Sequence, residues 1–258
     1  MSLPLVTSPL LGSVSGLHHA FTTRVGGVSR GPFATLNLGL ATSDDDDLVT
    51  ENHRILAAHF GRPPEAMFGA RQVHGTGVVR VGDEDISRDV GAKTGDILIT
   101  ARSGALVLVR VADCLPILLV DPDHRTVGAV HAGWRGTLAK ALPAAVQAMA
   151  ENFGTEAAQL LIAIGPGISV KNYEVGSGVA ALFENQVRLE KGEVEERGDS
   201  VRLNLAAINA RMAREAGVRS ERIWVSKACT FAEAEKFFSY RRDGKRSGRM
   251  VGCIGYAA

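Results

Sequence analysis

Short apolar runs, separated by glycine, proline and acidic turns, alternate with amphipathic stretches along this 258-residue chain. Three runs follow closely at 105–109, 115–120 and 127–130, with the turn Asp121-Pro122-Asp123 after the second. Unbroken apolar runs of this length predict strands buried on both faces. His131 follows directly on the third run. Leu138, Leu142, Val146, Met149 and Phe153 then recur every three to four residues, which predicts a helix lying on a sheet. Pro143 falls inside it and predicts a bend or a break. The run at 160–164, closed by Gly165-Pro166-Gly167, predicts another strand. Leu205, Ile208, Met212 and Ala216 outline a later helix, and 223–225 a later strand. Nearer the N-terminus, the acids of 44–47 predict a helix start, because carboxylates there cap free amides and favour the helix dipole. Val49, Leu56, Ala57 and Phe60 continue at helical spacing. Residues 1–17, cut by Pro4, Pro9 and Gly12, predict an extended lead-in. No repeat or low-complexity linker interrupts the pattern, which predicts one α/β domain over residues 1–258.

Charge and cysteine content narrow the class of function. Lys and Arg number 29 against 28 Asp and Glu, a net charge of +1. Without a basic field, nucleic acid and membrane surfaces are poor partners, and a small molecule is expected instead. No signal peptide and no membrane-length apolar stretch is visible. Three cysteines, Cys114, Cys229 and Cys253, are too few and of the wrong parity for a disulfide framework. A reducing cytoplasm is the expected compartment, where a thiolate serves as ligand or nucleophile.

Three segments carry reactive side chains beside glycine or at strand ends. They are Arg71-Gln72-Val73-His74-Gly75, Ala112-Asp113-Cys114-Leu115-Pro116 and Val130-His131-Ala132-Gly133-Trp134-Arg135-Gly136. A cysteine between two strands and a histidine closing the next can share one pocket. Two imidazoles and a thiolate suit zinc, and three protein ligands leave a fourth position open, as in catalytic sites. Spacing alone leaves other readings open. Cys114 and His131 are equally a metal-free nucleophile and base pair, or a small core residue and a hydrogen-bonded strand-end histidine.

The same segments resemble the YfiH-like family, also called the multicopper polyphenol oxidase or laccase domain family and now regarded as purine nucleoside phosphorylases. The resemblance is carried by Thr23-Arg24-Val25-Gly26-Gly27-Val28-Ser29, Leu36-Asn37-Leu38-Gly39, Gln72-Val73-His74-Gly75, Ala112-Asp113-Cys114-Leu115-Pro116 and His131-Ala132-Gly133-Trp134-Arg135-Gly136. It continues through Gly165-Pro166, Tyr173-Glu174-Val175-Gly176, Cys229-Thr230 and Phe238-Ser239-Tyr240-Arg241-Arg242-Asp243, in family order over nearly the whole chain. The departures are Val111 in place of a threonine, Thr94-Gly95-Asp96 in place of an Ala-Asp-Gly or Ala-Asp-Ala pattern, and Gly167-Ile168-Ser169, near which the family often has a cysteine.

The resemblance implies a single-domain α/β sandwich with a mixed sheet and a metal site at His74, Cys114 and His131. It also implies phosphorolysis of adenosine, inosine, guanosine and methylthioadenosine, together with adenosine deamination. Zinc is the expected metal, with copper possible because it binds such donors more tightly. Phosphorolysis needs phosphate held by planar guanidinium groups, for which Arg24 and Arg135 are the candidates. Asn37, Gln72 and Tyr173 are candidates to bind ribose or base. Asp113 and Glu174 join Cys114 and His131 as candidate acids, bases or nucleophiles, with capping or buried-network roles as the alternative. Trp134 is better suited to packing than to stacking on a purine, and Tyr240-Arg241-Arg242-Asp243 either braces the pocket or meets a phosphate. A monomer or weak homo-oligomer is expected. A true multicopper oxidase needs more histidines than the 7 present, and no H-x-H pair occurs. A one-copper polyphenol oxidase, a metal-free cysteine hydrolase and a non-enzymatic accessory protein remain the rival readings.

Overall fold

In the computed structural model, which describes residues 3–198 and 200–258, the apolar run at 115–120 becomes the strand Leu115–Asp121, buried at every position. Leu115, Ile117 and Leu119 point into a helical layer, while Leu118 and Val120 point into a second sheet. A strand covered on both faces has no polar side to show, which is why alternation is missing from its sequence.

This strand is central in a six-stranded sheet. Its order is Ile223–Val225, Leu161–Ile164, Leu115–Asp121, Thr126–Ala132, Ile97–Thr100 and Val78–Val81. A five-stranded sheet faces it, in the order Leu5–Val6, Leu17–Thr22, Met250–Tyr256, Leu106–Val111 and Met67–Phe68. Each sheet mixes antiparallel pairs with parallel ones at its edges. Between them, Phe21, Val107, Val109 and Ile254 meet Leu98, Leu118, Val120 and Ala163. The helices Ala141–Phe153 and Leu205–Glu215 cover the outer face of the six-stranded sheet. The helix Asp46–His59 covers the other outer face, setting Leu56 and Ala57 on Leu106, Leu108, Val251 and Cys253. The result is a four-layer α/β sandwich with mixed sheets. Among the described residues no helix is long and apolar enough to cross a membrane.

Local chemistry sets the element ends. Asp45 caps the first long helix by accepting from the Asp47 amide, with Asp46 and Asp47 in its first turn. Pro143 marks a break: Leu138 closes a separate short helix, Trp134–Leu138, and the long one starts afresh at Ala141. Lys140, left-handed at φ 62°, makes the corner, and Pro143 sits in the first turn, where a missing N–H costs nothing. The lead-in is not simply extended. Leu5–Val6 pairs with Leu17–Thr22, and Pro9–Gly12 forms one helical turn capped by Ser8.

The chain changes sheets at 112–114, between Leu106–Val111 of one sheet and Leu115–Asp121 of the other. Beside this crossing, Gly165 donates its amide to the Pro116 carbonyl, and a Cβ on it would lie 2.3 Å from the buried Phe21 ring. Gly165→Ala is therefore expected to lower unfolding free energy by about 1–3 kcal/mol through overpacking, read as a lower midpoint in urea denaturation.

Candidate metal centre and its cavity

A buried carboxylate organises the site. Asp96 accepts from the amides of Val73, His74 and Gly75 at 3.0, 2.9 and 2.8 Å. The loop so gathered holds His74 in the left-handed region, at φ 62°, a conformation unusual for a side chain of this size. Asp96 Oδ1 also accepts from His131 Nδ1 at 2.8 Å. A carboxylate only accepts, so Nδ1 carries the proton and Nε2 of His131 is left as the ligand atom. The backbone adds a further tie, His131 N–H donating to the Asp96 carbonyl at 2.8 Å. Burial raises the Asp96 pKa, but the His131 hydrogen bond and the Gly75 and Val73 amides outweigh it and keep the carboxyl below its ordinary range.

His131 is the penultimate residue of Thr126–Ala132, paired across the ladder with Pro116. Cys114 closes the crossing between sheets. The ligand atoms of His74, Cys114 and His131 all lie within 4.8 Å of one another, and the two imidazole rings meet edge to face at 4.7 Å. Gly133 leaves space for the sulfur: a Cβ there would stand 2.6 Å from Cys114 Sγ. Burial pushes the Cys114 thiol up, but the charge and hydrogen bond of His131, reinforced by His74, bring it down to about 6. For His131, burial favours the neutral ring, and the Cys114 and Asp96 charges reverse this and raise it to about 9. A thiolate beside an oriented imidazole is the state a borderline-soft divalent metal captures, and two nitrogens and one sulfur fit zinc or copper.

A cavity of about 850 Å³ opens over these donors, a size suited to a small organic ligand. Gln72, Asp113, Arg135 and Tyr173 of the expected residues line it with the three donors. Arg135 is exposed and sits over the Trp134 ring, 4.2 Å from its centre. The Gln72 amide is already paired at both ends with the Arg110 backbone, at 2.8 Å each way. Tyr173 is buried, and burial with the nearby Cys114 charge pushes its phenol up to about 12, so it stays a hydrogen-bond donor at neutral pH.

Four other expected residues are already engaged within the protein. Arg24 does not line the cavity: its guanidinium donates to the carbonyls of Ala34, Ala234 and Pro32 and covers the Phe238 ring. Asn37 is fully buried and bridges Thr42, Asp44 and the amides of Gly39 and Arg249. Asp113 lines the cavity with its carboxylate engaged. Its carboxylate accepts from Thr230 Oγ1, Ser239 Oγ and the Arg241 amide, stapling the C-terminal segment to the Cys114 loop. Glu174 also stays off the cavity wall, 3.7 Å from Arg202. Sequence reasoning missed Asp96 as the orienting group, and it missed Arg71, Arg110 and Arg249 on the cavity wall. One signal was visible for Arg110, a charge inside the apolar strand Leu106–Val111.

Two outcomes follow from this geometry. Metal capture must displace the proton that His131 holds while Cys114 is already ionised, between pH about 6 and about 9. Zinc affinity measured by chelator competition should therefore rise about tenfold per pH unit across that window; a flat profile would show that these donors are not the ligands. Asp96→Asn, which removes the charge that orients His131, should weaken zinc binding about 10–100-fold in the same titration.

Comparison with known proteins agrees with this architecture. Residues 18–257 match the family described as multi-copper polyphenol oxidoreductase laccase. A purine nucleoside phosphorylase of Deinococcus radiodurans is 42% identical over 254 residues, covering 98% of this chain and 93% of the relative. The purine nucleoside phosphorylase YfiH of Escherichia coli is 34% identical, covering 93% of each chain. The crystal structure of YlmD from Geobacillus stearothermophilus superposes with a TM-score of 0.91 at 34% identity, over 97% of this chain and 94% of that one. The chain therefore belongs to this laccase-like family, alongside the YfiH and YlmD proteins.

Proposed function

We propose that this protein is a metal-dependent purine nucleoside phosphorylase acting on adenosine, inosine, guanosine and methylthioadenosine, with adenosine deamination as a second activity of the same cavity. The observation that carries the reading is one cavity holding both the three-donor group and five arginines, Arg71, Arg110, Arg135, Arg241 and Arg249. Phosphorolysis brings in a multiply charged oxyanion, which planar guanidinium groups match. The names of the relatives point the same way. Among the described residues only one group of three suitable donors occurs, too few for a multicopper set.

His74, Cys114 and His131 hold the metal in this reading, zinc by donor chemistry and copper as the alternative. When bound, it supplies a Lewis acid at the cavity floor. In phosphorolysis a phosphate oxygen bonds to the anomeric carbon while the glycosidic C–N bond breaks, and the purine leaves with the electron pair and takes up a proton. The arginines hold and aim phosphate. Tyr173 faces the nucleoside, donating a hydrogen bond through a phenol that stays protonated. Gln72, fixed by the Arg110 backbone, gives that wall its shape. Deamination replaces phosphate by water and the anomeric carbon by the amino-bearing purine carbon, with ammonia leaving. Residues 1–258 act as one cytoplasmic domain, monomeric or weakly self-associating.

Purified protein incubated with adenosine and phosphate should give adenine and ribose 1-phosphate, with inosine appearing when phosphate is omitted. Cys114→Ala should lower both rates at least 100-fold, on the order expected for losing an electrostatic catalytic element, and should lose bound metal. Metal-loaded wild type that forms no product under either condition would sink this reading.

A further inference from the structure

Arg110 lies on the strand Leu106–Val111, and Arg249 directly precedes the neighbouring strand Met250–Tyr256. Met250 pairs with Val111 and Val251 with Arg110, which sets Arg249, one step before the ladder begins, diagonally from Arg110. Each continues the side-chain alternation of Leu108 and Val251, so both project from the sheet's outer face, over its end, into the cavity wall. Both are tied to the Leu36-Asn37-Leu38-Gly39 loop. Arg110 Nε donates to the Leu38 carbonyl at 3.1 Å. The Arg249 amide donates to Asn37 Oδ1 at 2.8 Å, and the Arg249 carbonyl accepts from the Leu38 amide at 2.9 Å. Arg249 Nη1 is further held by the Ser247 and Gly248 carbonyls.

These ties leave Nη1 and Nη2 of Arg110 and Nε and Nη2 of Arg249 without a protein acceptor among the described residues, and none of the four is a fully buried atom. No carboxylate forms an ion pair with either side chain among the described residues. Two glycines make room for them. A Cβ on Gly69 would lie 2.8 Å from Arg110 Nη1, and one on Gly39 2.8 Å from Arg249 Cγ. Two half-buried guanidinium groups on one cavity wall lose hydration without a carboxylate to offset it, a cost that a multiply charged oxyanion reaching both reverses.

We infer that Arg110 and Arg249 form a phosphate-binding subsite, with the Leu36–Gly39 loop as its bracket and Asn37 as the residue that positions Arg249. The inference rests on the proposed function for what the phosphate does, but not for its binding. The phosphate is either free inorganic phosphate or the phosphoryl group of a nucleoside monophosphate.

Titration calorimetry with inorganic phosphate and, separately, with adenosine 5′-monophosphate tests the subsite on wild type, Arg249→Gln, Arg110→Gln and the conservative Arg110→Lys. Thermal melts report whether each variant is folded. Inorganic phosphate should bind wild type, bind both glutamine variants at least tenfold more weakly, and recover partly with lysine. In turnover assays KM for phosphate should rise by the same factor while KM for adenosine stays within twofold. Binding of adenosine 5′-monophosphate alone, lost in the same variants, would assign the subsite to a phosphorylated substrate and support the pair equally. Wild-type affinity for both probes in a folded Arg249→Gln overturns the assignment, as does wild type that binds neither. Phosphate binding lost in the variants, in a wild type that cleaves no nucleoside, would leave the subsite standing and remove the phosphorylase reading instead.

Discussion

The Asp96 carboxylate is the constraint on which the site depends. It receives three consecutive loop amides and a histidine N–H, in a position with no solvent exposure. A buried charge is costly unless every lone pair finds a donor. The folding of 73–75 around it and the orientation of His131 are therefore one event. The strained φ of His74 is maintained by the same hydrogen bonds. A second buried carboxylate, Asp113, does comparable work for the opposite wall by gathering Thr230, Ser239 and Arg241. The side chains of His74, Cys114 and His131 are thus placed from two sides by acids outside the donor set.

Much of the fold was legible. The runs around 107, 118 and 129 are strands because they lie between layers, and burial on both faces writes itself into sequence as unbroken hydrophobicity. The sheet partners were not legible, since Met250–Tyr256 inserts between Leu17–Thr22 and Leu106–Val111 from the far end of the chain, and nothing local encodes such a pairing. Of the site, His74, Cys114 and His131 were readable as a donor set and come together in space. The roles of the polar residues around them were harder, because a glycine-rich motif marks tight backbone as readily as a binding loop. Arg24 and Asn37 sit in such motifs and serve the backbone. Asp96, in a segment that departs from the family pattern, carries no local mark of its partner 35 residues away.

Two kinds of charge line the cavity. Among the donors, two imidazoles hold a thiolate ionised below its usual range. Arginines from several elements bring positive charge to the same walls, and Arg110 is buried enough that its own pKa falls to about 10. Among the described lining residues no free acid balances them, since Asp113 is already engaged. Such a field concentrates anionic ligands before any specific contact forms.

The pairing of Pro116 with His131 has a consequence for how this scaffold can diverge. His131 is locked to a ladder, where an inserted or deleted residue would reverse every side chain beyond it and expose the core. Much of the cavity rim comes from loops at 39–42 and 69–72 and from the short helix Tyr240–Asp243, whose lengths no ladder fixes. Descendants of this chain can therefore lengthen or shorten the rim and change what enters, while the donor set stays in register. Chemistry and specificity are inherited separately here, one through the sheet and the other through its loops.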